Sequence, residues 1–216
     1  FLNFENHDGI LLSLDALSAK KDQAQNLDSY LGKLLFIELD SFKIRIFSYG
    51  HRNAQGIYVD NNKIISTEHG PRGGDEINII NFEKNYGWPI SSYGEPYDFE
   101  DKSRDIYHYK KSHYNFGFEE PIYTYVPSIG ISKLIKIPKN FSNKWENNFL
   151  ISSLNSRSLF RVKFDDLYQK VIYSEKIYVG ERIRDIIFDK NDKLIFLALE
   201  ETASVGVLRN NWILFG

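Results

Sequence analysis

Arg52 and Asn53, in the run Gly50-His51-Arg52-Asn53, are the residues best suited to hold an anion. A guanidinium offers five donors in a rigid fork that matches a carboxylate, and the neighbouring amide adds more. A glycine-rich turn follows, Glu68-His69-Gly70-Pro71-Arg72-Gly73-Gly74-Asp75-Glu76. Its Gly70-Pro71 pair fixes backbone carbonyls in a loop, and carbonyl oxygens are hard ligands suited to Ca²⁺. An anionic ligand gripped by arginine and bridged by calcium would use both features. Turn chemistry alone is the competing reading, since glycine supplies positive φ and Gly-Pro and Gly-Gly punctuate strands. Turns, however, need neither the fork of Arg52 nor the amide of Asn53.

A second cationic pair lies in Glu181-Arg182-Ile183-Arg184-Asp185. Arginines at i and i+2 on a strand point to one face, so Arg182 and Arg184 can reach one anionic ligand. A surface pair bonded to acidic neighbours is the plainer alternative. Asp75 and Glu76 read either as solvated charges or as ordered acids, because an apolar strand follows them. His108 and His113 are five apart in a polar stretch. That is not a metal spacing, and both read as solvated loop histidines. His7, in Asn6-His7-Asp8-Gly9, reads as hairpin-turn chemistry, and His51 and His69 as shaping the site around Arg52.

These residues must be positioned by strands. Segments 1–14, 56–68 and 185–200 each run apolar strand, polar turn, apolar strand, and 148–164 is a looser copy. Recurring hairpins of this kind mark a β-propeller, each contributing to one blade. About fourteen strand-like runs, at four per blade, give between three and four blades. No segment carries a long helical period; the Ala/Lys/Gln stretch at 17–31 has the composition for a helical turn but is read as a loop. Residues 96–120 are polar, aromatic and aperiodic, a long excursion between blades of the functional or mobile sort.

Composition narrows the classes. The 216 residues carry a formal charge of −2, which excludes an electrostatic nucleic-acid binder. Cysteine is absent, so there are no disulfides or thiolate metal sites. No apolar run approaches a membrane span. Methionine is also absent and no charged-then-apolar leader opens the chain, so the sequence reads as a processed or fragmentary piece.

The runs GHRNAQG, EHGPRGGDE and NYGWP, in that order and spacing, resemble the glucose/sorbosone dehydrogenase family, closest to its aldose sugar dehydrogenase branch. The resemblance implies a six-bladed β-propeller using pyrroloquinoline quinone (PQQ) and Ca²⁺, of which this chain would be an incomplete arc of about four later blades. It implies cofactor contacts from Arg52, Asn53, Ser128, Arg182 and Arg184, with Asn155 where the family often has lysine. It implies a cofactor-bridging calcium on the Gly70 and Pro71 carbonyls. A second, structural calcium would be held by the Glu76 side chain and the Tyr86 carbonyl. Tyr123 would meet the sugar. The implied activity is oxidation of an aldose at C1 to the lactone, with electrons passed to an external acceptor, in the periplasm or outside the cell. The family's catalytic histidine falls just before the strand matching Phe1–Phe4, so the resemblance implies no catalytic residue in this chain and an inactive chain by itself. A non-enzymatic propeller that binds a ligand or partner in the same groove is the alternative. A calcium-dependent lactonase-like propeller would need acids converging on its channel, and the arginines argue against it.

Overall fold

The computed structural model describes residues 1–60, 63–97, 109–191, 193–200, 205–209 and 212–215. Its described strands number sixteen, arranged as four antiparallel sheets of four. β1 (Leu2–Phe4), β2 (His7–Leu14), β3 (Lys33–Glu38) and β4 (Ile44–Tyr49) form the first sheet. β5 (Ala54–Asp60), β6 (Lys63–Glu68), β7 (Asp75–Ile80) and β8 (Tyr123–Tyr125) form the second. The third holds β9 (Ile131–Lys136), β10 (Phe149–Ser153), β11 (Ser158–Phe164) and β12 (Val171–Tyr178). The fourth holds β13 (Ile183–Asp189), β14 (Leu194–Leu199), β15 (Val205–Arg209) and β16 (Trp212–Phe215). Each strand pairs with its sequence neighbour, the meander of a propeller blade.

All four hairpins expected from the sequence are present. Three are the first two strands of their sheets. The looser copy, β10–β11, is the middle pair of the third sheet, which explains its weaker likeness. In the first hairpin Glu5 and Asn6 have φ of 50° and 67°. Positive φ at both central residues is what a two-residue turn needs to match strand twist. The turn is therefore Glu5-Asn6, and His7 is not in it: His7 is the first residue of β2, paired with Phe4.

Strand patterns follow position. β10 is buried along its whole length, and β3 nearly so. β12, at the edge of its sheet, is largely exposed and carries Glu175 and Lys176, charges that discourage edge-to-edge pairing. Glu175 lies directly opposite Arg161 on β11 and the two bond at 2.6 Å.

The chain divides into two compact units, Phe1–Ser128 and Ile129–Gly216. In the first, Leu34, Phe36 and Phe47 from the first sheet pack with Ile64, Ile80 and Tyr86. Gly9 belongs to this packing: a Cβ there would lie 2.3 Å from the Phe36 ring. In the second unit, Leu150 and Leu159 pack with Ile183, Ile195 and Leu197.

The segment 17–31 is not a plain loop. Ser18–Gln25 is a 3₁₀ helix. It is short of helix-stabilising signals, with no side-chain N-cap bond and no basic residue in its last turn. Lys33, fully buried on β3, holds it instead. Its Nζ donates to the carbonyls of Gln23 (2.9 Å), Ala24 (3.0 Å) and Leu31 (2.8 Å). At the same place the Gln25 amide donates to the Trp88 carbonyl at 2.6 Å and exchanges bonds with the Asn85 amide at 2.8 and 3.1 Å.

Burial pushes the Lys33 amine down to about 8. Unfolded, it would keep its proton to about 10.4. The folded state thus binds fewer protons across that interval, so the Lys33 contribution makes stability rise with pH from about 8 to 10.4. Lys33→Met is expected to lose this rise and to lower stability at pH 7 by about 1–3 kcal/mol, because three carbonyls lose their shared donor. Urea unfolding of both proteins between pH 7 and 10.5 checks it. Parallel pH profiles would refute the assignment.

Candidate functional site

Glu68 ends β6 with a carboxylate that is only 4% exposed. One of its oxygens accepts the backbone N–H of Arg52 in a short bond and that of Asn53 at 3.3 Å. The other faces His51 Nδ1 at 3.0 Å. His51 Nε2 in turn meets Ser48 Oγ at 2.8 Å, and the imidazole stacks on the Tyr86 ring at 4.6 Å. Ser48, His51 and Glu68 are thus a buried relay in the same spatial order as a hydrolase triad, but Ser48 is fully buried and cannot meet a substrate. Its product is position: it fixes the backbone from which Arg52 and Asn53 project. His51 and the Arg52 and Asn53 amides hold the Glu68 carboxyl below the usual carboxylate range, outweighing the cost of its burial.

The Arg52 guanidinium lies 5.4 Å over the Trp88 ring and donates from one terminal nitrogen to the His69 carbonyl at 3.1 Å. Its buried Nε has no hydrogen-bond partner. Trp88 is itself held by an Nε1 bond to the Ala16 carbonyl at 2.8 Å. The Asn53 Oδ1 accepts from Gln55 at 2.6 Å.

The glycine-rich turn is stitched by Asp75, which is fully buried. Its Oδ1 accepts the Gly70 N–H at 3.1 Å and a short bond from Ser128 Oγ, with His69 Nδ1 at 3.8 Å. A Cβ on Gly70 would lie 2.2 Å from the Gly74 carbonyl oxygen, so this turn excludes side chains. Asp75 and Glu76 are both buried, which settles the choice between solvated and ordered acids in favour of order.

Arg52, Gly70, Pro71, Glu76 and Tyr86, five of the residues expected to form a site, line one cavity with Glu68, Trp88 and His113. Its free space is about 10 Å³, the room of one water or ion. The surroundings are acidic. Burial, then the charges of Glu68, Asp75 and Glu120, push the Glu76 carboxyl well above its usual range. A cation in this cavity would offset that repulsion, and hard oxygen donors are what Ca²⁺ takes. The residues therefore fit a bound calcium. An ion-sized space does not take a quinone; for an anionic cofactor the fit lies in the Arg52 Nε, a buried donor with no acceptor. The Tyr86 hydroxyl is bonded to the Ile79 carbonyl (2.6 Å) and the Asn81 N–H (2.9 Å), which leaves the Tyr86 carbonyl as its candidate ligand.

The remaining expected residues lie elsewhere. Tyr123 on β8 is half-buried, with its ring edge-on to Tyr125 at 4.9 Å, and does not line this cavity. Asn155, Arg182 and Arg184 belong to the second unit. Asn155 is exposed, with its backbone N close against Gly130. Arg182 and Arg184 do share a face, and both grip Glu200, at 3.1 and 2.9 Å. The Arg184 guanidinium is the main reason that the Glu200 carboxyl lies below its usual value. An incoming anion must share these arginines with Glu200. His113 departs from its expected place. It is not a solvated loop residue: it is 1% exposed, stacked on Tyr93 at 5.5 Å, with Nε2 at 3.5 Å from Glu76. His108 lies outside the described residues.

Because the folded Glu68 carboxyl is depressed, its stabilising contribution is present above the unfolded pKa of about 4.3 and is lost as pH falls through the lower folded value. Glu68→Gln is expected to lower stability by about 2–4 kcal/mol at pH 7, through loss of a buried charged acceptor for two amides and an imidazole. The difference from wild type is expected to shrink on acidification. Thermal unfolding from pH 3 to 7 reads both, and a pH-independent difference would show that the carboxylate charge is not what matters.

The model of the "Glucose / Sorbosone dehydrogenase" family matches residues 1–208. The aldose sugar dehydrogenase YliI of Escherichia coli is 30% identical over 184 residues, covering 77% of this chain and 48% of its own length. Quinoprotein glucose dehydrogenase B of Acinetobacter calcoaceticus is 25% identical over 237 residues, 82% of this chain and 49% of its own. The apo crystal structure of the soluble aldose sugar dehydrogenase from Escherichia coli superposes with a TM-score of 0.74 at 26% identity, over 94% of this chain and 61% of that one. A glucose dehydrogenase crystal structure gives 0.73 at 29%, over 88% and 57%. The chain thus spans about half the length of the curated relatives it matches. Its four four-stranded meanders are blades of an incomplete β-propeller. The chain belongs to the glucose/sorbosone dehydrogenase family.

Proposed function

We propose that this chain is the cofactor-gripping part of a PQQ- and calcium-dependent dehydrogenase that oxidises aldoses at C1 to lactones and passes the electrons to an external acceptor, in the periplasm or outside the cell. One observation carries the reading: an arginine with a spare buried donor stands beside an ion-sized, acid-lined cavity. That is the donor set needed by a tricarboxylate bridged by a divalent cation. Arg52 and Asn53 bind its carboxylates, with the Glu68 relay holding them in place. Gly70 and Pro71 offer carbonyls to the bridging calcium, and Glu76 with the Tyr86 carbonyl holds the second. Ser128, tied to Asp75, adds a hydroxyl, and Tyr123 meets the sugar; the family resemblance also assigns cofactor contacts to Asn155, Arg182 and Arg184. When bound, the quinone supplies the acceptor for the two electrons lost at the sugar carbon.

The described histidines offer no free base for the sugar hydroxyl. His51 is engaged by Ser48 and Glu68, His113 is buried, and His69 lies beside the Asp75 carboxylate. His7 sits beside Glu38 and Asp40 on the first sheet. General-base catalysis contributes about 10²–10⁴-fold, so this chain by itself is proposed to bind the cofactor without turning over sugar.

Trp88 lies under Arg52, so PQQ titrated with Ca²⁺ is expected to quench tryptophan emission. Arg52→Lys keeps the charge but loses the fork, and is expected to weaken PQQ by about tenfold or more. Dye reduction with glucose and other aldoses is expected to be absent for this chain and present when the coding region is extended upstream to include a histidine-bearing blade. Equal PQQ affinity in the wild type and Arg52→Lys would remove Arg52 from the site. Turnover by this chain itself would show that a base is already within it.

A further inference from the structure

Among the described residues, His7, Glu38 and Asp40 form the group of three acid and imidazole side chains whose ligand atoms all lie within 4.8 Å of one another. Sheet register brings them together. Gly9 on β2 pairs with Glu38 on β3, and His7, two residues before Gly9, shares its face. Gly9 has no side chain to stand between the imidazole and the Glu38 carboxylate. One residue past β3 the ladder continues, with a bond from the Leu39 N–H to the Asp8 carbonyl at 2.9 Å, and this carries Asp40 to the same place.

Both acids are held by the turn they stand in. Asp40 Oδ1 accepts the Ser41 N–H at 2.8 Å, which leaves Oδ2 facing His7 Nδ1 at 3.7 Å. Glu38 Oε2 accepts the Ser41 hydroxyl at 2.5 Å and stands 4.0 Å from the same imidazole nitrogen. The Glu38 side chain is 6% exposed, against 45% for His7 and 71% for Asp40. A buried acid is thus the floor of the group and two exposed side chains are its rim. Arg45 lies 3.3 Å from the other Glu38 oxygen and bonds Glu5 at 2.6 Å. Three acids, Glu5, Glu38 and Asp40, therefore share one fixed positive charge.

Neither 3.7 nor 4.0 Å is a hydrogen bond, which needs about 2.7–3.2 Å. Two ligands of one zinc ion, with bonds of about 2.0–2.2 Å, stand about 3.4 Å apart at a tetrahedral angle. A small rotation of the two exposed side chains closes that difference. One imidazole with two carboxylates is a donor set that suits zinc and its neighbours, whereas calcium takes oxygens.

We propose that His7, Glu38 and Asp40 hold a borderline divalent cation of the Zn²⁺ type, with water completing its coordination. The site is distinct from the Arg52 cavity and does not depend on the cofactor reading. It lies at the far end of β3 from Lys33, which holds the 3₁₀ helix, about 17 Å away along a strand of six residues. The ion would clip the start of β2 to the β3–β4 turn and so close one end of the first sheet.

The test is calorimetric titration of the whole chain with Zn²⁺ in excess Ca²⁺, which fills oxygen-lined sites, together with X-ray absorption at the zinc edge. One equivalent of Zn²⁺ that calcium does not displace is expected, with one imidazole among its ligands. Zn²⁺ is also expected to raise the unfolding temperature. His7→Gln and Asp40→Asn, both at exposed positions, are each expected to weaken this Zn²⁺ by at least about tenfold and to remove the rise in unfolding temperature. No Zn²⁺ binding, a zinc shell without imidazole, or unchanged affinity in either variant overturns the proposal. If one variant does not fold, the other decides the question.

Discussion

One buried carboxylate organises the site. Glu68 receives two consecutive backbone N–H groups and an imidazole, in a place nearly closed to water. In such surroundings a charge persists only where donors converge on it, and the donors here are the backbone of the Arg52 loop and His51. The dependence runs both ways. Without the loop the carboxylate is an unpaired buried charge; without the carboxylate the loop has two buried amides to satisfy. Arg52 is therefore aimed by its backbone. Its side chain is left with one terminal bond to His69, a face on Trp88 and a spare Nε.

The acids divide the labour by what surrounds them. Glu68 is saturated with donors and stays ionised. Asp75 is consumed in tying Gly70 and Ser128 together. Glu76 has burial and like charges against it, and the Asn78 amide at 3.2 Å does not balance them. A protein that keeps such a carboxyl beside an ion-sized space carries an electrostatic cost in the metal-free state, and binding a cation relieves it. The arginines of the second unit are in the opposite condition, since Glu200 already holds both.

Much of the fold was legible because strands announce themselves by local pattern. Each hairpin had apolar runs on both sides of a polar turn, and all four are present. The motif residues Arg52, Gly70, Pro71, Glu76 and Tyr86 also stood out, by residue type and by close spacing, and they do meet at one cavity. Other features had no local signal. His113 sits in an aperiodic polar stretch, and it is buried by groups from elsewhere in the chain, Tyr93 and Glu76 among them. The 3₁₀ helix has a weakly helical sequence and exists because Lys33 collects its carbonyls. A buried lysine on a strand that reads Lys-Leu-Leu-Phe-Ile-Glu looks like the strand's polar end, not its anchor. Glu68 carries no local signal either, because it stands in a run with Asp75 and Glu76 whose residue types do not say which acid collects the Arg52 loop.

The bonds that lock Trp88 have a kinetic meaning. Its indole reaches back 72 residues to Ala16, and Gln25 reaches forward 60 to Asn85. Pairing across such distances must wait for the intervening sheets, because loop-closure entropy is unfavourable until contacts along the way offset it. The shelf beneath Arg52 is accordingly among the last pieces of the first unit to form. A chain emerging from the ribosome would complete both hairpins before the Arg52 loop is held in place, so order at this loop reports on finished folding and not on secondary structure.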